Sequence, residues 1–174
     1  MVSSNRLGSR FQGWLLVFVA QSVVGLVAVL YLADRDLLRS FAYLRSSIPL
    51  GQAAGPLVAA RCVGELLIAV VLFGGLKLIT QGHRRTSRYW QIALPLIGTT
   101  ILAVLWTRYR QAELFVAAGR RPTVPGPQLL ALAIVNVTLT VAWVLYWMRS
   151  ERVRVAFRAL PAPTTFPTDG KPAA

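Results

Sequence analysis

Two charged residues, Arg61 and Glu65, lie inside a long apolar stretch of this sequence and are the first candidates for chemistry. They are four positions apart, so in a helix their side chains lie on one face. If that helix begins at Leu57, Glu65 lies about 12 Å into it. An ionisable residue at such a depth in a membrane marks a proton or substrate site. The alternative is an ion pair near the membrane surface, with Arg61 extending toward water and Glu65 following it.

Polar side chains in two other apolar stretches extend this candidate site. Gln21 lies in the first apolar stretch and Asn136 in the last. Together with Glu65 they could surround a polar cavity between the helices. Side chains of this kind also form hydrogen bonds between packed helices, which is the simpler interpretation.

No other arrangement of residues suggests catalysis or ligand binding. The single histidine, His83, falls in a polar turn between two apolar stretches, and the single cysteine, Cys62, is expected to be a buried structural thiol. The sequence contains no nucleophile elbow, phosphate-binding glycine loop or zinc-protease motif. Its six acidic residues are too dispersed to hold a metal ion. We therefore predict a non-enzymatic protein without a cofactor or metal.

Four apolar stretches must position these residues. Of the 174 residues, 55% are hydrophobic and only 14% are charged, which excludes an ordinary soluble domain, a disordered chain or a disulfide scaffold. Each stretch is close to the length that crosses a bilayer, and we predict spans at 14–32, 57–79, 89–107 and 129–148. The first could be a signal peptide, but its length and the lack of a small-residue cleavage motif favour a retained helix. We expect an all-α polytopic membrane protein with four transmembrane helices.

The segments outside the spans complete the domain organisation. Residues 37–48, and residues 113–118 before Gly119, have the spacing of short amphipathic helices, which predicts interfacial helices in the two outer loops. They could be lids over a cavity or ordinary connections that lie on lipid. We predict a cytoplasmic tail over residues 1–13, a transmembrane domain over 14–158 that ends in an interfacial helix, and a disordered tail over 159–174.

Positive charge is abundant and unevenly distributed. The formal net charge is +13, and Lys and Arg accumulate on the cytoplasmic side of membrane proteins. Eleven basic residues lie in the two tails and the 77–88 loop, against seven in the other two loops. This distribution predicts that both termini are cytoplasmic. Arginines beside the membrane attract anionic lipid head groups, whereas nucleic-acid binding is not expected because no basic face collects the charge.

The end of the fourth stretch carries a pattern of aromatic, polar and basic residues. The pattern is Trp-x-x-Tyr, Ser-x-Arg-Val and Phe, which here consists of Trp143, Tyr146, Ser150, Arg152, Val153 and Phe157. It resembles the C-terminal signature of the domain-of-unknown-function 2569 family of four-span bacterial inner-membrane proteins. The Gly13-Trp14 entry to the first span is similar to that family's N-terminal motif. The resemblance implies a bacterial inner membrane and a four-span topology, and it implies no activity.

The same pattern also has a physical interpretation. The aromatic side chains of Trp143, Tyr146 and Trp147 would form a belt at the membrane surface. Ser150 would cap a further helix whose Val153 and Phe157 face lipid. A docking site for a cytoplasmic partner is the functional alternative for this helix.

Two hypotheses about function follow from these features. The first is a non-enzymatic accessory or interaction subunit, with a membrane-protein partner or a second copy of the chain. The alternative is a small oligomeric transporter or permeation unit that uses Arg61 and Glu65.

Overall fold

A computed structural model describes residues 13–45, 47–82, 85–121, 124, 126–150, 153 and 157 of the chain. These residues form four α-helices, and none of them belongs to a β-strand. The helices are α1 (Trp14–Leu44), α2 (Pro49–Thr80), α3 (Thr86–Ala117) and α4 (Gly126–Arg149). All four are long and apolar enough to cross a membrane. The predicted all-α, multi-pass membrane fold is therefore confirmed.

Three of the helices are longer than a bilayer requires. They contain 31 or 32 residues, which corresponds to about 46–48 Å, against a hydrocarbon core of about 30 Å. In α1 and α3, part of the additional length comes from segments that were predicted to form separate interfacial helices. Residues 37–44 continue α1, and residues 113–117 continue α3. Both segments are helical as predicted, but the prediction of separate loop helices was wrong.

The start of α2 also differs from the prediction. This helix begins at Pro49 rather than at Leu57, and Pro56 lies inside it. Proline suits the first turn of a helix, where its missing N–H group has no partner to lose, and Pro49 occupies that position here. The end of α3 agrees with the sequence, because Gly119 follows it with φ +69°, a conformation that favours glycine.

Consecutive helices pack against one another and alternate in direction, which creates two distinct ends of the bundle. The aromatic end combines the first turns of α1 and α3 with the last turns of α4. We define it by Phe18, Trp90, Trp143, Trp147 and Phe157. The charged end combines the last turns of α1 and α3 with the first half of α2. We define it by Asp36, Arg61, Glu65, Arg108 and Gln111.

The aromatic end corrects the predicted membrane-surface belt. Trp90 and Trp147 are buried in the bundle rather than exposed at its surface. Val153 is also fully buried, so it does not face lipid, contrary to the prediction. Phe157 is half-buried, and its ring stacks on that of Trp147 at 6.0 Å. The Ser150 hydroxyl accepts a hydrogen bond from the backbone N–H of Val153 at 3.4 Å, as expected of a capping residue.

Candidate functional site

Helix α2 carries both predicted charged residues into the protein interior. Arg61 and Glu65 lie on one face of α2 and are 3% and 2% exposed. Within the described chain they do not pair with each other, because each has a partner on another helix. The alternative in which Arg61 and Glu65 form an ion pair with each other is therefore not what the structure contains, since Arg61 pairs with Asp36 and Glu65 with Arg108.

Arg61 connects α2 to both of its neighbours. Its Nε donates a short hydrogen bond to Oδ2 of Asp36 on α1. Its Nη1 donates a second hydrogen bond to Oε1 of Gln111 on α3, at 2.9 Å. Asp36 is itself 2% exposed, so this ion pair is removed from solvent. The guanidinium group is therefore held in a fixed orientation by two helices.

Arg108 on α3 joins the two acidic residues of the site. Its Nη2 donates to Oε1 of Glu65 at 3.4 Å and lies 3.9 Å from Oδ2 of Asp36. The other carboxylate oxygen of Glu65 is buried without a hydrogen-bond partner among the described residues. Arg39 extends the network toward the surface, with Nη1 at 4.0 Å from Oδ1 of Asp36.

The network also defines the position of Glu65 along the bundle. Asp36 and Arg108 lie just beyond the uncharged stretches of α1 and α3, and Glu65 lies beside Arg108. The site therefore lies at one end of the spans. Asp36, Arg108 and Gln111 were not predicted as site residues, because they fall in segments that were predicted to be loops. Their signal was the amphipathic helical spacing in the same segments, which indicated that the helices continue.

A cleft of about 260 Å³ opens beside this network, and we call it the basic cleft. Residues of α1, α2 and α3 line it, together with Val124 from the connection between α3 and α4. Its charged lining residues are four arginines and one carboxylate, namely Arg35, Arg39, Arg61, Arg108 and Asp36. An excess of fixed positive charge in a concave site attracts anions, and guanidinium groups match the geometry of phosphate and carboxylate.

The predicted polar cavity is formed only in part. Gln21 and Asn136 line a second cavity of about 220 Å³, but Glu65 is not among its lining residues. The Oε1 of Gln21 accepts a hydrogen bond from Trp143 Nε1 at 3.0 Å, and Nδ2 of Asn136 donates to the Gly98 carbonyl oxygen at 3.0 Å. Both side chains therefore link helices, as the simpler interpretation expected.

The remaining signature residues lie at the aromatic end. Gly13 precedes α1 with φ 67°, and its carbonyl oxygen accepts a hydrogen bond from the N–H of Leu16. Trp14 is exposed, whereas Tyr146 is half-buried. Arg152, His83, all of the predicted 1–13 tail except Gly13, and the predicted tail over 159–174 lie outside the described residues.

No protein-family model, curated protein or solved structure matches this chain. The resemblance to the domain-of-unknown-function 2569 family therefore stays a prediction.

Proposed function

We propose that this membrane protein binds a small anion in the basic cleft. The observation that carries the proposal is the charge of the lining, in which four arginines face one carboxylate. Two of these arginines, Arg61 and Arg108, are held by buried acidic side chains before any ligand arrives. An anion would therefore meet guanidinium groups that are already oriented, which reduces the entropy cost of binding.

The cost of the network supports a functional role. Removing charged groups from water is unfavourable, and apolar residues of similar volume often stabilise a protein as well as a buried ion pair does. Charged residues that persist in a membrane protein interior are commonly functional. The network at Asp36, Arg61, Glu65 and Arg108 is therefore better explained by ligand binding than by stability.

The size of the cleft limits the ligand. Its volume of about 260 Å³ is below that of typical sites for drug-sized molecules, which begin at about 300 Å³. A phosphate or carboxylate group with a few further atoms fits this space. Guanidinium groups bind both phosphate and carboxylate groups through paired hydrogen bonds.

Equilibrium binding of inorganic phosphate and glycerol phosphate to the detergent-solubilised full chain tests the proposal. Arg39→Gln removes a partly exposed cleft arginine and should weaken binding about tenfold, which corresponds to ~1.4 kcal/mol. Arg45→Gln is the matched control, because Arg45 is exposed just beyond α1 and does not line the cleft. Absence of binding by the unmodified chain, or equal effects of both substitutions, would contradict the proposal.

Permeation is a second candidate, and the second cavity favours it. Residues from all four helices line that cavity, and its α1 residue Val29 lies one turn deeper than Leu32 of the basic cleft. On α2, Glu65 lies between the cleft residue Arg61 and the cavity residue Ile68. Along α1 and α2, the residues of the second cavity therefore begin about one turn beyond those of the basic cleft, with Glu65 between the two sets on α2.

A glycine in the second cavity allows permeation to be tested separately from binding. A Cβ atom added at Gly25 would lie 3.8 Å from Leu72 Cδ1, which is an ordinary contact. Gly25→Ala should therefore be tolerated, whereas Gly25→Val should reduce the cavity. If anions pass through the bundle, Gly25→Val abolishes phosphate uptake into proteoliposomes and leaves binding unchanged. No uptake with the unmodified chain would exclude permeation of phosphate.

We also propose a bacterial inner-membrane location with both termini cytoplasmic. The resemblance to the four-span family and the excess of basic residues in the tails and the 77–88 loop support it. The basic cleft would then open on the outer side of the membrane. Reporter fusions to the two termini and to the 120–125 segment test this orientation, and an external signal from either terminus would contradict it.

The accessory-subunit hypothesis stays a prediction. It depended on the absence of catalytic residues, the small size of the chain and a basic, aromatic helix over residues 150–158, of which the structure describes Ser150, Val153 and Phe157. Val153 is fully buried, so its side chain is not available to a docking partner. Purification of the tagged chain from native membranes, followed by mass spectrometry, tests the subunit hypothesis directly. A stoichiometric partner protein would support the hypothesis, and the absence of such a partner would contradict it.

A further inference from the structure

An apolar groove of about 560 Å³ lies between α3 and α4 at the charged end of the bundle. We call it the apolar groove. Its walls include Leu102, Leu105, Trp106 and Tyr109 of α3, and Leu130 and Ala133 of α4. The rings of Trp106 and Tyr109 stack at 5.8 Å and form a continuous surface on one side.

The apolar groove and the basic cleft lie on two sides of the same connection. Val124 lines the cleft, and Gly126, at the start of α4, lines the groove. On α3, Arg108 faces the cleft and its neighbour Tyr109 faces the groove. From Tyr109 the groove continues along α3 to Leu102, a distance of about 10 Å toward the membrane interior.

We propose that the ligand of the cleft is an anionic lipid, whose phosphate group binds the arginines while one acyl chain lies in the apolar groove. This inference rests on the proposed function, because it identifies the anion that the cleft binds. Charge complementarity favours an anionic head group, because the ammonium group of a zwitterionic lipid would bring a positive charge toward four arginines. The apolar lining of the groove favours a ligand with an acyl chain, since the chain can cover this apolar surface. A soluble anion would leave the surface uncovered.

The two halves of the site make different predictions for three probes. Phosphatidylglycerol can bind in both the cleft and the groove. Phosphatidylcholine fits the groove alone, and glycerol phosphate fits the cleft alone. Phosphatidylglycerol should therefore bind to the delipidated full chain at least about tenfold more tightly than either of the others. Native mass spectrometry and competition titrations in detergent measure these affinities.

Substitutions in the groove separate the lipid from a soluble anion. Ala133→Phe fills the groove and should weaken phosphatidylglycerol binding about tenfold without changing glycerol phosphate binding. Ala131→Phe is the matched control, because Ala131 lies exposed on the same helix outside the groove lining. Leu130→Gln, at a 64% exposed groove position, provides a second test if the first variant does not fold. Arg39→Gln should weaken the binding of both probes.

The outcomes distinguish this inference from the proposed function. If glycerol phosphate binds as tightly as phosphatidylglycerol, or if both groove variants leave lipid binding unchanged, the lipid inference fails and the anion site remains. Equal binding of phosphatidylcholine and phosphatidylglycerol also overturns the lipid inference. If none of the anionic probes binds the unmodified chain, both proposals fail.

Discussion

The two ends of the bundle are stabilised by opposite kinds of interaction. At the aromatic end, the rings of Phe18 and Trp90 meet edge to face with centroids 4.8 Å apart, and Trp90 stacks on Trp147 at 6.0 Å. At the charged end, Arg61 and Arg108 are enclosed with two carboxylates. Aromatic packing gains dispersion energy at little desolvation cost, whereas burying the three charged side chains of Asp36, Arg61 and Glu65 is expensive.

This difference indicates which end is adapted to stability. Even at the aromatic end, the indole N–H groups of Trp90 and Trp147 are buried without hydrogen-bond partners among the described residues. The hydroxyl of Tyr146 is likewise buried without a partner among these residues, so ring packing at this end takes precedence over hydrogen bonding. The charged end satisfies most of its polar atoms yet encloses a cleft, so its arrangement favours a ligand over close packing.

Arg61→Met is expected to have the largest effect on stability. It leaves the Asp36 carboxylate buried without its main partner, which costs about 3–5 kcal/mol in comparable buried pairs. The free energy of unfolding is measured by titrating the protein in mixed micelles with increasing amounts of dodecyl sulfate. Arg110→Met serves as the control, because its ion pair with Glu113 is exposed and is worth about 0–1 kcal/mol. Similar losses of unfolding free energy in both variants would mean that the buried network contributes no more to stability than an exposed ion pair.

Gly75→Ala tests the aromatic end by crowding it. A Cβ atom at this position would lie 2.3 Å from Cζ2 of Trp90, which Phe18 and Trp147 hold in place. Overpacking of this kind costs about 1–3 kcal/mol. Gly25→Ala, where the nearest atom would be 3.8 Å away, should be close to neutral in the same assay. A neutral Gly75→Ala variant would show that the aromatic end is loosely packed.

Asn136→Ala should have the smallest effect, since it lies between the two ends. It removes the hydrogen bond to the Gly98 carbonyl oxygen, and such bonds between membrane helices average about 0.6 kcal/mol. Thr138→Ala is its control, because the Thr138 hydroxyl bonds only within α4, to the Ile134 carbonyl oxygen. If Asn136→Ala lowers the free energy of unfolding by more than the loss expected for Arg61→Met, the proposed order of these effects on stability is wrong.

The sequence predicted the spans better than it predicted the site. Long uncharged stretches identify membrane helices directly, because few other structures tolerate them. Arg61 and Glu65 were recognised since they interrupt such a stretch. Asp36 and Arg108 were not, because charges beside a predicted loop resemble ordinary solvated residues, and no glycine or proline marks where α1 ends at Leu44.

The pairing partners could not have been read from the sequence for a further reason. Asp36 meets Arg61 only through the packing of α1 on α2, and Gln111 meets Arg61 only through α3. Those contacts depend on the rotation of each helix about its axis. Neighbouring side chains set that rotation across the whole bundle.

The double variant Asp36→Leu with Arg61→Met tests the central claim most directly. It removes a buried ion pair as a unit, so no uncompensated charge from that pair remains. Unfolding free energy and glycerol phosphate binding are measured on the same preparation. We predict that most of the stability lost in Arg61→Met is recovered while anion binding falls at least about tenfold. Unchanged binding in a well-folded double variant would contradict the assignment of the charged end to an anionic ligand.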